Sequence, residues 1–193
     1  MNSKAEMYQL LAASFHLPDP DLEELRSEQA RLFSLTVAGG ISPYETEYGD
    51  QEVFAKTQSL ADIAGFYRAF GFEVAPEAHQ RIDFIGAELE WMSWIVLKEE
   101  HARKNGRTEE AELCHEAAAK FLHDHLGRWA PFLGNLLKQE ARHPFYRMLG
   151  ETLQQFIDEE CSRFEVTPEK VTAWKPIPVS ATDFECGMEQ GGC

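Results

Sequence analysis

Residues 76–106 read PEAHQRIDFIGAELEWMSWIVLKEEHARKNG. No proline follows Pro76 within this stretch, and Ile82, Ile85, Leu89, Met92 and Val96 recur three or four positions apart until Asn105-Gly106. That spacing lines up one apolar stripe on a helix, and an Asn-Gly pair is a common helix stop. The stretch therefore predicts the longest helix of the chain, placed at the centre of a bundle.

The flanking sequence repeats the helical theme. On the N-terminal side, Ser3 with Glu6 forms a capping-box pattern ahead of Met7, Leu10, Leu11 and Phe15, and Pro18 closes that helix. Asp19 as N-cap and Pro20 at the first position open a second helix that Gly39-Gly40 stops. Residues 39–50, GGISPYETEYGD, carry glycines, Pro43 and two tyrosines and read as an ordered loop whose aromatics need a packing surface. Ser59 with Asp62 marks a further start, leading into Ile63, Phe66, Tyr67 and Phe70 before Gly71.

On the C-terminal side a helix from about Thr108 carries Cys114, Ala118, Phe121, Leu122 and Trp129, and Pro131 and Pro144 each suit the first turn of later, shorter helices. No run of strict two-residue alternation suggests a sheet. The expected fold is all-α, a single helical bundle over residues 1–173. After Thr167-Pro168 the character changes, and residues 174–193 read as an irregular tail.

Charge narrows the function. The 193 residues include 33 Asp and Glu against 18 Lys and Arg, a net charge of −15. Such a surface repels phosphate backbones and anionic lipid and suits a cationic partner. The N-terminal Met-Asn-Ser-Lys-Ala-Glu has no apolar run of signal or membrane-span length, so the protein is expected in the cytoplasm. Four cysteines, unevenly spaced, agree with a reducing compartment. Of these, Cys186 and Cys193 could pair, bind a soft metal or stay inert, and two thiols alone do not close a zinc site.

Enzyme motifs are sparse. No phosphate-cradling glycine loop or nucleophile elbow occurs. Glu112-x-x-His115 and Glu140-x-x-His143 have the spacing of di-metal carboxylate bundles, which makes a helical oxidoreductase the alternative reading. Against it, Glu112 points away from the Cys114–Phe121–Trp129 stripe and His143 directly precedes a proline. His123 and His125 are two apart and cannot readily share an ion on a helix.

What remains is a concentration of aromatic and acidic side chains: Tyr44, Glu45, Glu47 and Tyr48 in the loop, Phe66 to Phe70, then Asp83, Glu88, Glu90, Trp91 and Trp94. With both Asp83 and Glu90 inside the long helix, two turns apart, the two carboxylates fall on nearly one face. On residues alone, the aromatics read as core and the carboxylates as a solvated flank.

Four segments in order, SPYETEYG (42–49), DIAGFYRAFGFE (62–73), HQRIDFIGAELEWM (79–92) and AAKFLHDHLGRWAPF (118–132), resemble the signature stretches of the TorD/DmsD/NarJ-type redox-enzyme maturation chaperones. The resemblance implies an all-helical cytoplasmic protein, monomeric or weakly associating, with no catalysis and no resident cofactor. It implies as partner the precursor of a molybdenum-cofactor oxidoreductase, bound through its twin-arginine leader and held back from export until the cofactor is inserted. It places leader binding near Asp83 and near Pro43, Tyr44 and Tyr48; the carboxylate spacing, not the resemblance, adds Glu90 as a helper to Asp83. Phe66, Tyr67, Phe70, Glu88, Trp91, His125, Trp129 and Pro131 also fall in the matching segments, as structural residues. Where relatives resemble E-P-x-D-H, this chain has Gln80-Arg81-Ile82-Asp83-Phe84, a departure beside the expected contact. A helical adaptor for an unrelated partner shares the fold and the acidity, and is the third reading.

Overall fold

The computed structural model describes residues 3–16, 18–19, 21–33, 40–49, 53–75 and 80–173. Its elements are α1 (Ser3–Phe15), α2 (Glu23–Phe33), a 3-10 turn (Glu45–Glu47), α3 (Val53–Ala69), α4 (Ile85–Lys104), α5 (Thr108–Phe121), a π turn (Leu122–Leu126), α6 (Gly127–Glu140) and α7 (Pro144–Arg163). Among the described residues there is no strand, only an isolated antiparallel bridge between Tyr44 and Phe84.

Three pairings build the bundle: α6 along α7, α1 along α4, and α4 against α5. The centre is aromatic, with Trp91, Trp129, Tyr8, Tyr146 and Phe121 all fully buried. Trp91 and Phe121 lie 4.4 Å apart between ring centroids, and Phe66 meets both edge-on at 5.6 and 5.3 Å. α4 buries Ile85, Leu89, Met92 and Val96, the stripe its spacing predicts from Ile85 onward, and Ile95 beside it. Each such side chain contributes about 1.5–3 kcal/mol.

Helix starts differ from expectation at several places, each for a local reason. Asp19 accepts the Asp21 N–H and, through its carbonyl, the Leu22 N–H, making a turn, so α2 starts at Glu23. Pro20 and Gly39 lie outside the described residues, as does the Ser3 side chain. α3 starts at Val53, six residues before Ser59, because nothing in Val53–Gln58 opposes a helix. The long helix starts at Ile85, not just after Pro76, because Ile82 and Asp83 form a turn closed by the Phe84 N–H on the Arg81 carbonyl, Phe84 is extended, and Asp83 and Ile85 are tied to the 43–46 loop. Asp83 is therefore not a helical residue and shares no helix face with Glu90.

Pro131 is a buried interior residue of α6 and does not open a helix, whereas Pro144 does start α7. α5, the π turn and α6 run on without a break, so Thr108–Glu140 is one rod. A proline inside a helix removes a donor and crowds the preceding turn. Here it stands about one turn beyond the π turn, the kind of local irregularity where long helices adjust. No helix among the described residues is long and apolar enough to cross a membrane. Cys186 and Cys193 lie outside the described residues.

Candidate functional site

The loop before α3 and the segment before α4 are joined by backbone bonds. Glu45 N–H donates to the Asp83 carbonyl and Ile85 N–H to the Pro43 carbonyl, both at 2.9 Å. These bonds carry the Asp83 side chain under the 3-10 turn, where Thr46 donates to Oδ2 through its N–H (3.2 Å) and its hydroxyl (2.8 Å). Asp83 is fully buried.

Its countercharge is Arg81. The guanidinium donates to Asp83 Oδ1 through Nε (3.0 Å) and to Oδ2 through Nη2 (2.8 Å), the two-pronged geometry that arginine alone provides. Nη2 also donates to Thr46 Oγ1 (2.6 Å) and Nη1 to Glu47 Oε1 (3.2 Å). Above these contacts the guanidinium carbon sits 4.5 Å from the Tyr44 ring centroid, within cation-π range. Burial works against the Glu47 carboxylate, but Lys56 and Arg81 together hold it below the usual range.

Deeper, a second polar chain crosses the core. His125, in the π turn, bonds Glu45 through Nδ1 (3.1 Å) and Asp62 of α3 through Nε2 (3.2 Å). Burial disfavours the imidazolium, yet the bonds and charges of Glu45 and Asp62 outweigh it and raise the histidine pKa. Next to Glu45, Glu88 accepts the Trp129 indole N–H (3.1 Å). Burial first, then the Glu45 charge, pushes the Glu88 carboxyl well above the usual range and favours its neutral form. On the other side of His125, a cavity of about 730 Å³ is lined by Asp62, His123, Asp124, His125, Arg128 and Glu169.

The expected binding residues do not gather at one place. Tyr44 is half-buried and Asp83 lies below it, so these two form one site. Pro43 and Tyr48 point inward: Pro43 supports α4 through its carbonyl, and Tyr48 donates its hydroxyl to the Ser42 carbonyl (2.5 Å) and packs on Trp129. Glu90 is exposed and pairs with His16 at 3.0 Å, apart from Asp83. Phe66, Tyr67 and Phe70 surround Trp91, with Phe66 edge-on to His125 as well. Trp129 and Pro131 lie in the core of α6.

The residues of the di-metal alternative are not brought together. His115 bonds Glu99 (3.1 Å), Glu112 and Glu140 are exposed, and His143 caps α7 by accepting the Phe145 N–H. Among the described residues no group of three or more His, Cys, Asp or Glu could hold a metal.

Comparison with known proteins adds a family. The model of the nitrate reductase delta subunit family matches residues 2–135. The chain belongs to this family of redox-enzyme maturation chaperones. It is 31% identical over 157 residues to the chlorate reductase assembly chaperone protein of Ideonella dechloratans, covering 80% of this chain and 78% of the relative. It is 29% identical to the selenate reductase assembly chaperone protein of Thauera selenatis, covering 76% and 75%. To the perchlorate reductase assembly chaperone protein of Dechloromonas aromatica (strain RCB) it is 26% identical, covering 51% and 43%.

The residues matched to the delta-subunit family contain every side chain of the Asp83 site and of the His125 chain. In the sequence, Arg81 stands out only as a departure from E-P-x-D-H, Glu47 only as one acidic residue of the loop, and Thr46 not at all. The turn at Ile82-Asp83 brings the two side chains of Arg81 and Asp83 together, and the sequence carries no periodic signal for it.

Proposed function

We propose that this delta-subunit family member is a cytoplasmic chaperone, without catalytic activity, for the precursor of a molybdenum-cofactor oxidoreductase. It binds the precursor's twin-arginine leader and its immature body, and export waits until the cofactor is in place. The named relatives are assembly chaperones for reductases, which supports a reductase as the client. The observation that supports leader binding is the Tyr44–Asp83 site, which holds a guanidinium over a buried carboxylate and reaches the surface of an acidic protein through Tyr44 and Arg81.

Energetics divide the work. A partly exposed arginine–carboxylate pair contributes about 0–1 kcal/mol. Micromolar binding needs about 8 kcal/mol. Most of it must come from apolar burial at roughly 25 cal/mol per Å². Charge selects the leader, and the apolar segment that follows its arginines holds it. Tyr44 takes part in both, through its ring and its rim position.

Affinity capture from the native host followed by calorimetric titration tests this reading. The expected result is an uncleaved molybdoenzyme precursor whose synthetic leader binds at micromolar strength, with an Arg-Arg leader preferred over its Lys-Lys version. Asp83→Asn should erase much of that preference. Capture of a partner without such a leader, with no binding by any twin-arginine peptide, would instead establish the adaptor reading.

A further inference from the structure

We propose that Asp83, Thr46, Glu47 and the Tyr44 ring form a guanidinium seat that Arg81 occupies from within, and that a partner arginine enters by displacing it. That the natural partner is a leader rests on the function proposed above; the seat and its internal occupant do not.

The seat is selective by construction. All three guanidinium nitrogens of Arg81 find oxygen acceptors, at 2.6–3.2 Å, while the flat face lies against Tyr44. The Thr46 hydroxyl sends its own proton to Asp83 Oδ2 and so presents a lone pair to Arg81. An ammonium has neither the fork nor the plane to repeat this set. The ligand class is therefore an alkylguanidinium, and lysine is excluded on geometry and not on charge.

The seat also stands without its occupant. Asp83 keeps both Thr46 bonds, and the Glu45–Asp83 and Ile85–Pro43 backbone bonds hold the two segments together. The Arg81 backbone is fixed separately, its carbonyl accepting the Phe84 N–H at 3.1 Å. Rotation of the Arg81 side chain, 43% exposed, is enough to open the seat. The fully buried Asp83 cannot stay unpaired cheaply, so opening and entry occur as an exchange of one guanidinium for another. An internal competitor lowers apparent affinity by the fraction of time the seat is open. Arg81 thus sets a threshold: a partner arginine succeeds only when the rest of its chain also binds.

The test uses the full chain and N-methylguanidinium, with methylammonium as the charge control, and follows the Thr46 amide, which bonds Asp83, by NMR. In Arg81→Ala, methylguanidinium is expected to saturate the Thr46 shift with a midpoint at least roughly tenfold below that of the wild type, while methylammonium gives no saturable shift. Equal midpoints in the two proteins, or equal action by methylammonium, would overturn the proposal and leave Arg81 a structural clamp. If Arg81→Ala does not fold, Arg81→Lys retains a countercharge without the fork, and the same ordering against wild type decides. A positive result here with no leader binding would remove the leader reading and leave the seat. Leader binding with no methylguanidinium response would do the reverse.

Discussion

Glu28 is 8% exposed, yet it is held ionised by the Arg31 side chain and by the Arg142 and His143 amides at the approach to α7. Arg31 chiefly, helped by those amides, lowers its pKa to about 2. A depressed carboxylate stabilises above its unfolded pKa and loses that contribution as pH falls through the folded value. Glu28→Gln is therefore expected to lose on the order of 2–3 kcal/mol at pH 7. The gap should close between pH 4.5 and pH 2 in urea titrations. His125 has the opposite sign. Its raised pKa stabilises fully below about 6.5 and fades as pH climbs through the higher folded value. The wild-type advantage over His125→Gln should be larger at pH 6 than at pH 9 in the same assay. At this scale the sequence was only partly legible. The types Asp83 and Tyr44 stood out by chemistry, but a charge does not reveal its distance to another charge. Asp83 reads as a residue of the long helix, or as a helix-start carboxylate bonded to backbone donors or an arginine, because nothing in Gln80–Phe84 announces that its backbone is used by residues 43–46. Tyr48 looked like a binder because a tyrosine in a loop carries no mark of facing inward.

Helix type and the buried stripe were readable where apolar spacing extended over many turns, as in Ile85–Val96 and Phe121–Trp129. Boundaries were not, because caps compete with tertiary bonds: Ser59 resembles a helix start and sits inside α3, and Pro131 resembles one and sits inside α6. The close contact of α6 and α7 was also hidden, since glycine gives no periodic signal. A Cβ on Gly134 would stand 2.5 Å from the Gly150 carbonyl oxygen, and one on Gly150 would meet the Gly134 carbonyl in return. Gly150→Ala is expected to cost about 1–3 kcal/mol through overpacking. Gly65, inside α3, has nothing within 4 Å of an added Cβ. Gly65→Ala should therefore raise stability by about 0.5–1 kcal/mol. Chemical denaturation of both variants checks the contrast, and two losses of equal size would refute the packing account of α6 and α7.

Across the whole molecule, the net charge of −15 should draw cationic partners at a rate that falls with salt, while affinity anchored by apolar burial persists. Stopped-flow measurements of leader association at 50 and 500 mM salt should show a slower on-rate and a largely preserved off-rate. Topology carries a separate consequence. α1 packs along α4, with Ser93 donating to the Ala5 carbonyl, and touches α7 through Tyr8 on Phe156 and Lys4 beside Glu159 and Glu160. Among the described helices, α1, earliest in the chain, is thus completed by α7, the latest. At roughly 5–20 residues per second, its apolar face waits on the order of ten seconds or more for its final neighbour. During its own synthesis, this protein therefore carries an apolar helix face that stays open until the chain is nearly finished.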